Sequence, residues 1–208
     1  ISAMRKPHLT IRVRPGTGQH AGARGTAGCL GHIAAGEFRA LRREAVQGGS
    51  IDIAAVKAAL ADRTLDILVT NAGGPPPGNW TDWDRDDFID AIDTNMLPAI
   101  ALMQAVVPGM MARGWGRVVN INSRAVKAPI PALGLSNTAR AGLTGFVAGM
   151  SRQVAGSGVT VNNVLPGPHD TDRVRGMDRR NAETKGISLE EQRESRRAQN
   201  PTGRDGDA

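Results

Sequence analysis

TLDILVTNAGG, residues 64–74, is the stretch from which the rest of the chain is read. Its first eight residues are a short apolar run with β-branched side chains, and AGGPPPG ends it. A run of this length closed by a glycine- and proline-rich turn reads as a buried strand. Two similar runs follow, GRVVNIN at 116–122 and GVTVNNVLPG at 158–167. Between the first two lies a helical region from about Trp83 to Arg113, with a bend or break expected near Pro98 and Pro108. Between the last two lies a helix over 134–156, where Leu143, Phe146, Val147, Met150 and Val154 recur at helical spacing. Gly142, Gly145, Ala148 and Gly149 keep another of its faces thin.

Strand, helix, strand, helix, strand at these lengths implies an α/β fold with a parallel sheet and right-handed crossovers. Such strands are covered on both faces, so they read as continuous apolar runs. Ligands of such sheets bind beyond the carboxyl ends of the strands. Those ends carry Asn71-Ala72-Gly73, Ser123 and Pro166-Gly167, which should converge on one crevice. From 168 to 208 the chain is strongly polar. Ser188 with Glu191 forms a capping box, and a helix from 189 to about 199 should follow, as a flap over the crevice or an ordinary solvated helix.

Composition narrows the function classes. With 208 residues and 40% apolar content, the chain can bury one core. A single cysteine, Cys29, permits no internal disulfide and suits a reducing, cytoplasmic setting. LPAIALMQAVV, 97–107, is too short to span a bilayer, and no secretory h-region opens the chain, so no membrane role is expected. Arg5, Lys6, Arg12, Arg14, Arg24, Arg39, Arg42 and Arg43 face only Glu37 and Glu44 in residues 1–50, which therefore hold the whole net charge of +6. Neither a nucleic-acid motif nor interleaved aromatics accompany that excess, so a nucleic-acid partner is not expected.

The stretches DILVTNAGG (66–74), DTNMLP (93–98), GRVVNINS (116–123), LSNTARAGLTGF (135–146) and VTVNNVLPGPHDT (159–171) match a family in order and spacing. Over residues 64–204 the chain resembles the short-chain dehydrogenase/reductases, in particular the 3-oxoacyl-acyl-carrier-protein reductase-like members. The resemblance implies a Rossmann-like, doubly wound parallel sheet in three α/β/α layers. It implies hydride transfer between NADP or NAD and a small-molecule carbonyl, with no metal. It places the family's catalytic asparagine at Asn95 and its serine at Ser123. The family's tyrosine falls on Ser136 and its lysine on Arg140, and the chain has no tyrosine at all. Cofactor contacts fall on Asn71, Ala72, Gly73, Arg140, Pro166, Gly167 and Thr171.

Four residues make about one helical turn, so Ser136 and Arg140 share a face. A phenol with a pKa near 10 can be drawn toward neutrality by a neighbouring cation, whereas a serine hydroxyl is far too weak an acid. Arg140 keeps the charge, and its fork of donors suits ribose hydroxyls, but it cannot relay a proton. Ser136 could instead position a water. Plainer uses stand beside these: a bend at Asn95, a strand-end cap at Ser123, a helix N-cap at Ser136, an interface role for Arg140, and a structural histidine at His169 rather than a substitute acid.

The N-terminal fifty residues fit the family poorly and read as an irregular part of the dinucleotide-binding domain, with 51–208 as the Rossmann-like remainder. The nearest phosphate-cradling turn is TGQHAGAR, where Arg24 stands at the third glycine position. Six glycines between Gly16 and Gly31 argue against regular structure there. From Thr17 to Asn71 there are 54 residues, whereas three strand–helix units would need about 75–90. The sheet should therefore lack strands at both its N- and C-terminal ends. Its exposed edges should favour a homo-oligomer formed through the two long helices.

Overall fold

The apolar runs become strands close to where their periodicity places them. The computed structural model describes residues 10–12, 46–47, 50–51, 54, 58 and 64–206. The strands among these are β1 (Thr10–Arg12), β2 (Val46–Gln47), β3 (Ser50–Ile51), β4 (Ile67–Asn71), β5 (Gly116–Ile121) and β6 (Val159–Val164). β4, β5 and β6 run parallel, with Leu68 opposite Val118 and Val118 opposite Val161. β1 joins the other edge of β4 antiparallel, Thr10 opposite Val69, so the sheet is mixed rather than wholly parallel. An antiparallel edge on a parallel sheet is a common variant. β2 and β3 pair with each other. The TGQHAGAR turn and the glycine-rich 16–31 run lie outside the described residues.

The chain divides into two compact units, one ending at Val164 and one beginning at Leu165. In the first unit, α1 (Arg85–Asn95), α2 (Leu97–Ala112) and α3 (Gly134–Val154) accompany the sheet. α1 starts in a capping box: Asp84 accepts from the amides of Asp86 and Asp87, and Asp87 accepts from that of Asp84. The expected break near Pro98 occurs at Met96, because Pro98 has no N–H to continue the ladder of α1. The break expected at Pro108 does not occur. Pro108 sits inside α2 on its exposed side, and the carbonyl it leaves unpaired belongs to exposed Gln104, where water reaches it.

One face of the sheet holds the core. Leu68, Val118, Val159 and Val161 pack with Leu102, Met103, Val106 and Met110 of α2 and with Leu143 and Val147 of α3. Composition alone would let Arg85–Ala112 cross a membrane, but Leu102, Met103, Val106, Val107 and Met110 of this segment are buried in the core. Ile67, Val69, Val119 and Ile121 form the opposite row and are half-buried. Helices packed on a largely parallel sheet give the α/β class that the sequence predicts.

The turn into β6 depends on one glycine. Gly158 has φ 72°, and a Cβ there would collide with the carbonyl oxygen of Gly114. Gly158→Ala combines left-handed strain with backbone overlap and should cost about 3 kcal/mol. Thermal unfolding should show Tm lower by about 6–12 °C. Gly145→Ala, in an exposed helical position with open space at the Cβ, should leave Tm unchanged or raise it slightly.

The second unit holds α4 (Asp172–Lys185) and α5 (Leu189–Ala198). α5 begins in the expected capping box, Ser188 accepting from the Glu191 amide and Glu191 accepting from that of Ser188. Those bonds hold the Glu191 carboxyl below its ordinary range. α4 was not expected from the sequence. It has few apolar residues to show a period, and its start signal is Thr171, whose Oγ1 accepts from the Val174 amide.

Candidate active site

The ends of β4 and β5 meet the first turns of α3 through one side chain. Arg140 is 8% exposed, and three of its nitrogens donate to protein oxygens. Nε donates to Ser136 Oγ at 3.2 Å, and Nη1 to the Ile121 carbonyl at 3.3 Å. Nη2 donates to the Gly73 carbonyl at 2.8 Å and the Ala72 carbonyl at 3.4 Å. The guanidinium thus ties both strand-end turns to α3. Nη1 and Nη2 are aimed at backbone carbonyls, and Nε at the Ser136 hydroxyl. Burying a cation requires such polar contacts, since an unsolvated charge is costly.

Ser136 does not cap its helix. The cap position is Leu133, and Ser136 lies one turn into α3 at 5% exposure. Because Oγ accepts from Arg140, its own hydrogen is directed elsewhere. Half-buried Ser123 does cap: Oγ accepts from the Ala125 amide at 3.1 Å and opens the short turn Arg124–Val126. Its O–H remains a donor at the end of β5. Asn95 closes α1 and is buried, with Nδ2 donating to the Ala91 carbonyl and to Thr94 Oγ1. Its Oδ1 is buried with no hydrogen-bond partner. Such an orphan acceptor calls for a water or a bound hydroxyl.

Asn122 belongs to the same cluster and was not singled out from the sequence. Nδ2 donates to the Arg140 carbonyl at 3.2 Å and to Thr144 Oγ1 at 2.9 Å, and its Oδ1 also lacks a partner. The signal was available, since a polar side chain in an apolar strand must find a partner. Asn120 shows the same rule deeper in, where its Oδ1 accepts from Thr70 Oγ1 at 2.6 Å.

The structure therefore joins Ala72, Gly73, Ser136 and Arg140 by direct bonds, with Ser123 two residues beyond Ile121. Asn71 is exposed beside them, and Asn95 bonds within its own helix. Pro166, Gly167 and Thr171 lie in the second unit. There Thr171 Oγ1 caps α4, and His169 Nδ1 lies 2.9 Å from the Gly167 carbonyl, which places a proton on Nδ1. Arg175 grips Asp170 at 2.8 and 2.9 Å and holds its carboxyl below the ordinary range. Among the described residues no group of three His, Cys, Asp or Glu side chains could hold a metal ion.

A nicotinamide nucleotide fits this strand-end site in part. The exposed Asn71 side chain and the Ser123 O–H offer polar contacts, while the Ala72 and Gly73 carbonyls are engaged by Arg140.

Comparison with known proteins points the same way. Residues 39–182 match the family model described as short chain dehydrogenase. The chain is 40% identical over 115 residues to acetoacetyl-CoA reductase of Cupriavidus necator, covering 54% of this chain and 46% of that protein. It is 36% identical over 159 residues to 3-oxoacyl-[acyl-carrier-protein] reductase of Vibrio cholerae, covering 74% and 60%. It thus spans about half to three-fifths of the length of these relatives. A variant of actinorhodin polyketide ketoreductase, solved with NADPH, superimposes with a TM-score of 0.68 at 26% identity, covering 75% of this chain and 62% of that one.

Proposed function

Because this chain belongs to the short-chain dehydrogenase family, we propose that it is an NAD(P)-dependent oxidoreductase reducing a ketone such as a 3-oxoacyl thioester. The observation that carries this reading is the Ser136–Arg140 pair, hydrogen-bonded at 3.2 Å between the ends of β4 and β5. The relatives' reductase activities support it. When bound, a reduced nicotinamide would supply the hydride that the carbonyl carbon takes up. The protein must then see a proton delivered to the carbonyl oxygen. Ser123 O–H orients that oxygen. Ser136, only 5% exposed, positions a water that donates this proton and regains one from solvent, and Arg140 fixes the direction of the Ser136 hydroxyl. Asn71, Ala72 and Gly73 line the cofactor side of the strand ends, with Pro166, Gly167 and Thr171 as further cofactor contacts. Asn95 Oδ1 takes a water of the same network.

A second reading is a non-catalytic nucleotide-binding relative. The absence of any tyrosine and the engagement of Arg140 by backbone carbonyls favour it. On either reading the protein works in the cytoplasm as a homo-oligomer. Exposed Ile89, Leu97 and Met111 on α1 and α2, and the open Gly145 and Gly149 on α3, support that assembly.

Titrating NADPH fluorescence and then adding an acetoacetyl thioester separates the readings. We expect saturable binding followed by slow turnover. Ser136→Ala should lower that turnover about tenfold, the worth of one hydrogen bond. Binding without turnover selects the second reading, and no binding at all rejects both.

A further inference from the structure

Within the second unit, the chain returns to its own start. The Gly206 amide donates to the Pro168 carbonyl at 3.1 Å, and the Asp170 amide donates to the Gly206 carbonyl at 2.9 Å. His169 and Gly206 form a bridge, with the imidazole lying against the Gly206 Cα, where a Cβ would not fit. The residue before Gly206 is Asp205, and Arg196 of α5 holds it. Nη1 meets Asp205 Oδ1 in a short contact and Nη2 meets Oδ2 at 3.0 Å. The same guanidinium grips Asp178 of α4, Nε at 2.9 Å from Oδ1 and Nη2 at 3.0 Å from Oδ2. Arg197 adds a looser contact with Asp205 at 3.5 Å.

We propose that Arg196, acting through Asp205, is a positioning residue for the Pro166–Thr171 loop. A chain of direct contacts runs from α4 and α5 through Arg196 to Asp205, and from Gly206 to Pro168, His169 and Asp170. A guanidinium that bonds two carboxylates in fork geometry fixes both direction and distance, which a single contact does not. The pair is well shielded, with the Asp205 side chain 9% and that of Arg196 18% exposed. Arg196 holds the Asp205 carboxyl below the ordinary carboxylate range, so both partners are charged at neutral pH.

The consequence for function rests on the reading that Pro166, Gly167 and Thr171 contact the cofactor. A loop held by its own returning tail presents those residues in one arrangement before binding, and so lowers the ordering cost of binding. Cofactor affinity should then depend on Asp205, which under this reading touches no cofactor.

Asp205→Asn is the test, because it weakens the tail contact and leaves the Arg196–Asp178 pair in place. Hydrogen exchange should show lost protection at the Asp170 and Gly206 amides, with the interior amides of α4 and α5 unchanged. NADPH should bind about tenfold more weakly, and KM for NADPH should rise with kcat held. Arg197→Ala should change neither readout appreciably. Retained protection at Asp170 and Gly206 in Asp205→Asn overturns the proposal. So does lost protection with an unchanged NADPH Kd. If the unaltered chain binds no NADPH, the functional reading has failed, and with it the loop's role toward a cofactor; exchange then reports separately whether Asp205 holds the tail.

Discussion

Ser136→Tyr should raise the rate of NADPH-dependent reduction of an acetoacetyl thioester by about 10²–10⁴-fold, the usual worth of a positioned general acid. The argument is one of proton supply. Ser136 shares a helical face with Arg140, and the guanidinium lies 3.2 Å from its hydroxyl. A phenol placed there has a pKa near 10, within reach of neutrality beside a fixed cation, and a serine hydroxyl has not. Arg140 stays protonated, so the charge that would lower the phenol persists across the working pH range. Ser136 is buried, and a ring at this position must turn toward the strand-end opening. Ser136→Phe therefore serves as the control, since it introduces the ring without the acid. Steady-state turnover of the two variants decides the matter: equal rates for Tyr and Phe would show that the missing phenol is not what limits this chain.

Arg140→Ala should destabilise the fold by about 4 kcal/mol and lower Tm by about 8–16 °C. The substitution removes charge-assisted bonds, worth about 1.5–3 kcal/mol each, to the carbonyls of half-buried Ile121 and exposed Gly73, and leaves the buried Ser136 Oγ without the donor it accepts from. An unpaired buried acceptor costs about 1–3 kcal/mol each, so the loss exceeds that of an ordinary surface arginine several-fold. Arg140→Lys should recover less than half of it. A single ammonium cannot reach two strand ends and a neighbouring hydroxyl at once, whereas a planar fork can. Thermal unfolding by circular dichroism measures both. A Tm for Arg140→Ala within about 2 °C of the unaltered chain would mean that the two strand-end turns do not depend on this side chain.

β4, β5 and β6 were legible because each is a continuous apolar run, whereas β1, β2 and β3 are two or three residues long and show no such run. α3 was legible from its 3.6-residue period. α4 was not, because a helix with a mostly solvated surface has no apolar stripe, and a lone threonine cap is a weak signal. Of the bend or break expected at Pro108 the break does not occur, because sequence shows the lost N–H and not the side of the helix on which the orphaned carbonyl falls. Ser123 was read both as a catalytic hydroxyl and as a cap, and the structure shows the capping bond to Ala125 while leaving the O–H as a donor. Asn122 escaped notice because its partners, the Arg140 carbonyl and Thr144, lie 18 and 22 residues away.

The sequence by itself determined the order of β4, β5, β6 and the helices between them, the family resemblance, the placing of Ser136 and Arg140 on one helical face and the absence of a phenol anywhere in the chain. The resemblance rests on five motif stretches, and the rest are properties of local periodicity and composition. Only the tertiary structure decided what the cation does. The direction of the Arg140 fork depends on carbonyls 19, 67 and 68 residues away. Those oxygens come within reach only once β4 and β5 are paired and α3 is packed on the sheet. The same holds for Arg196, whose two carboxylates lie 18 residues before it and 9 after it. Hydrogen-bond direction is set by where the backbone finally lies, and no short window of sequence contains that.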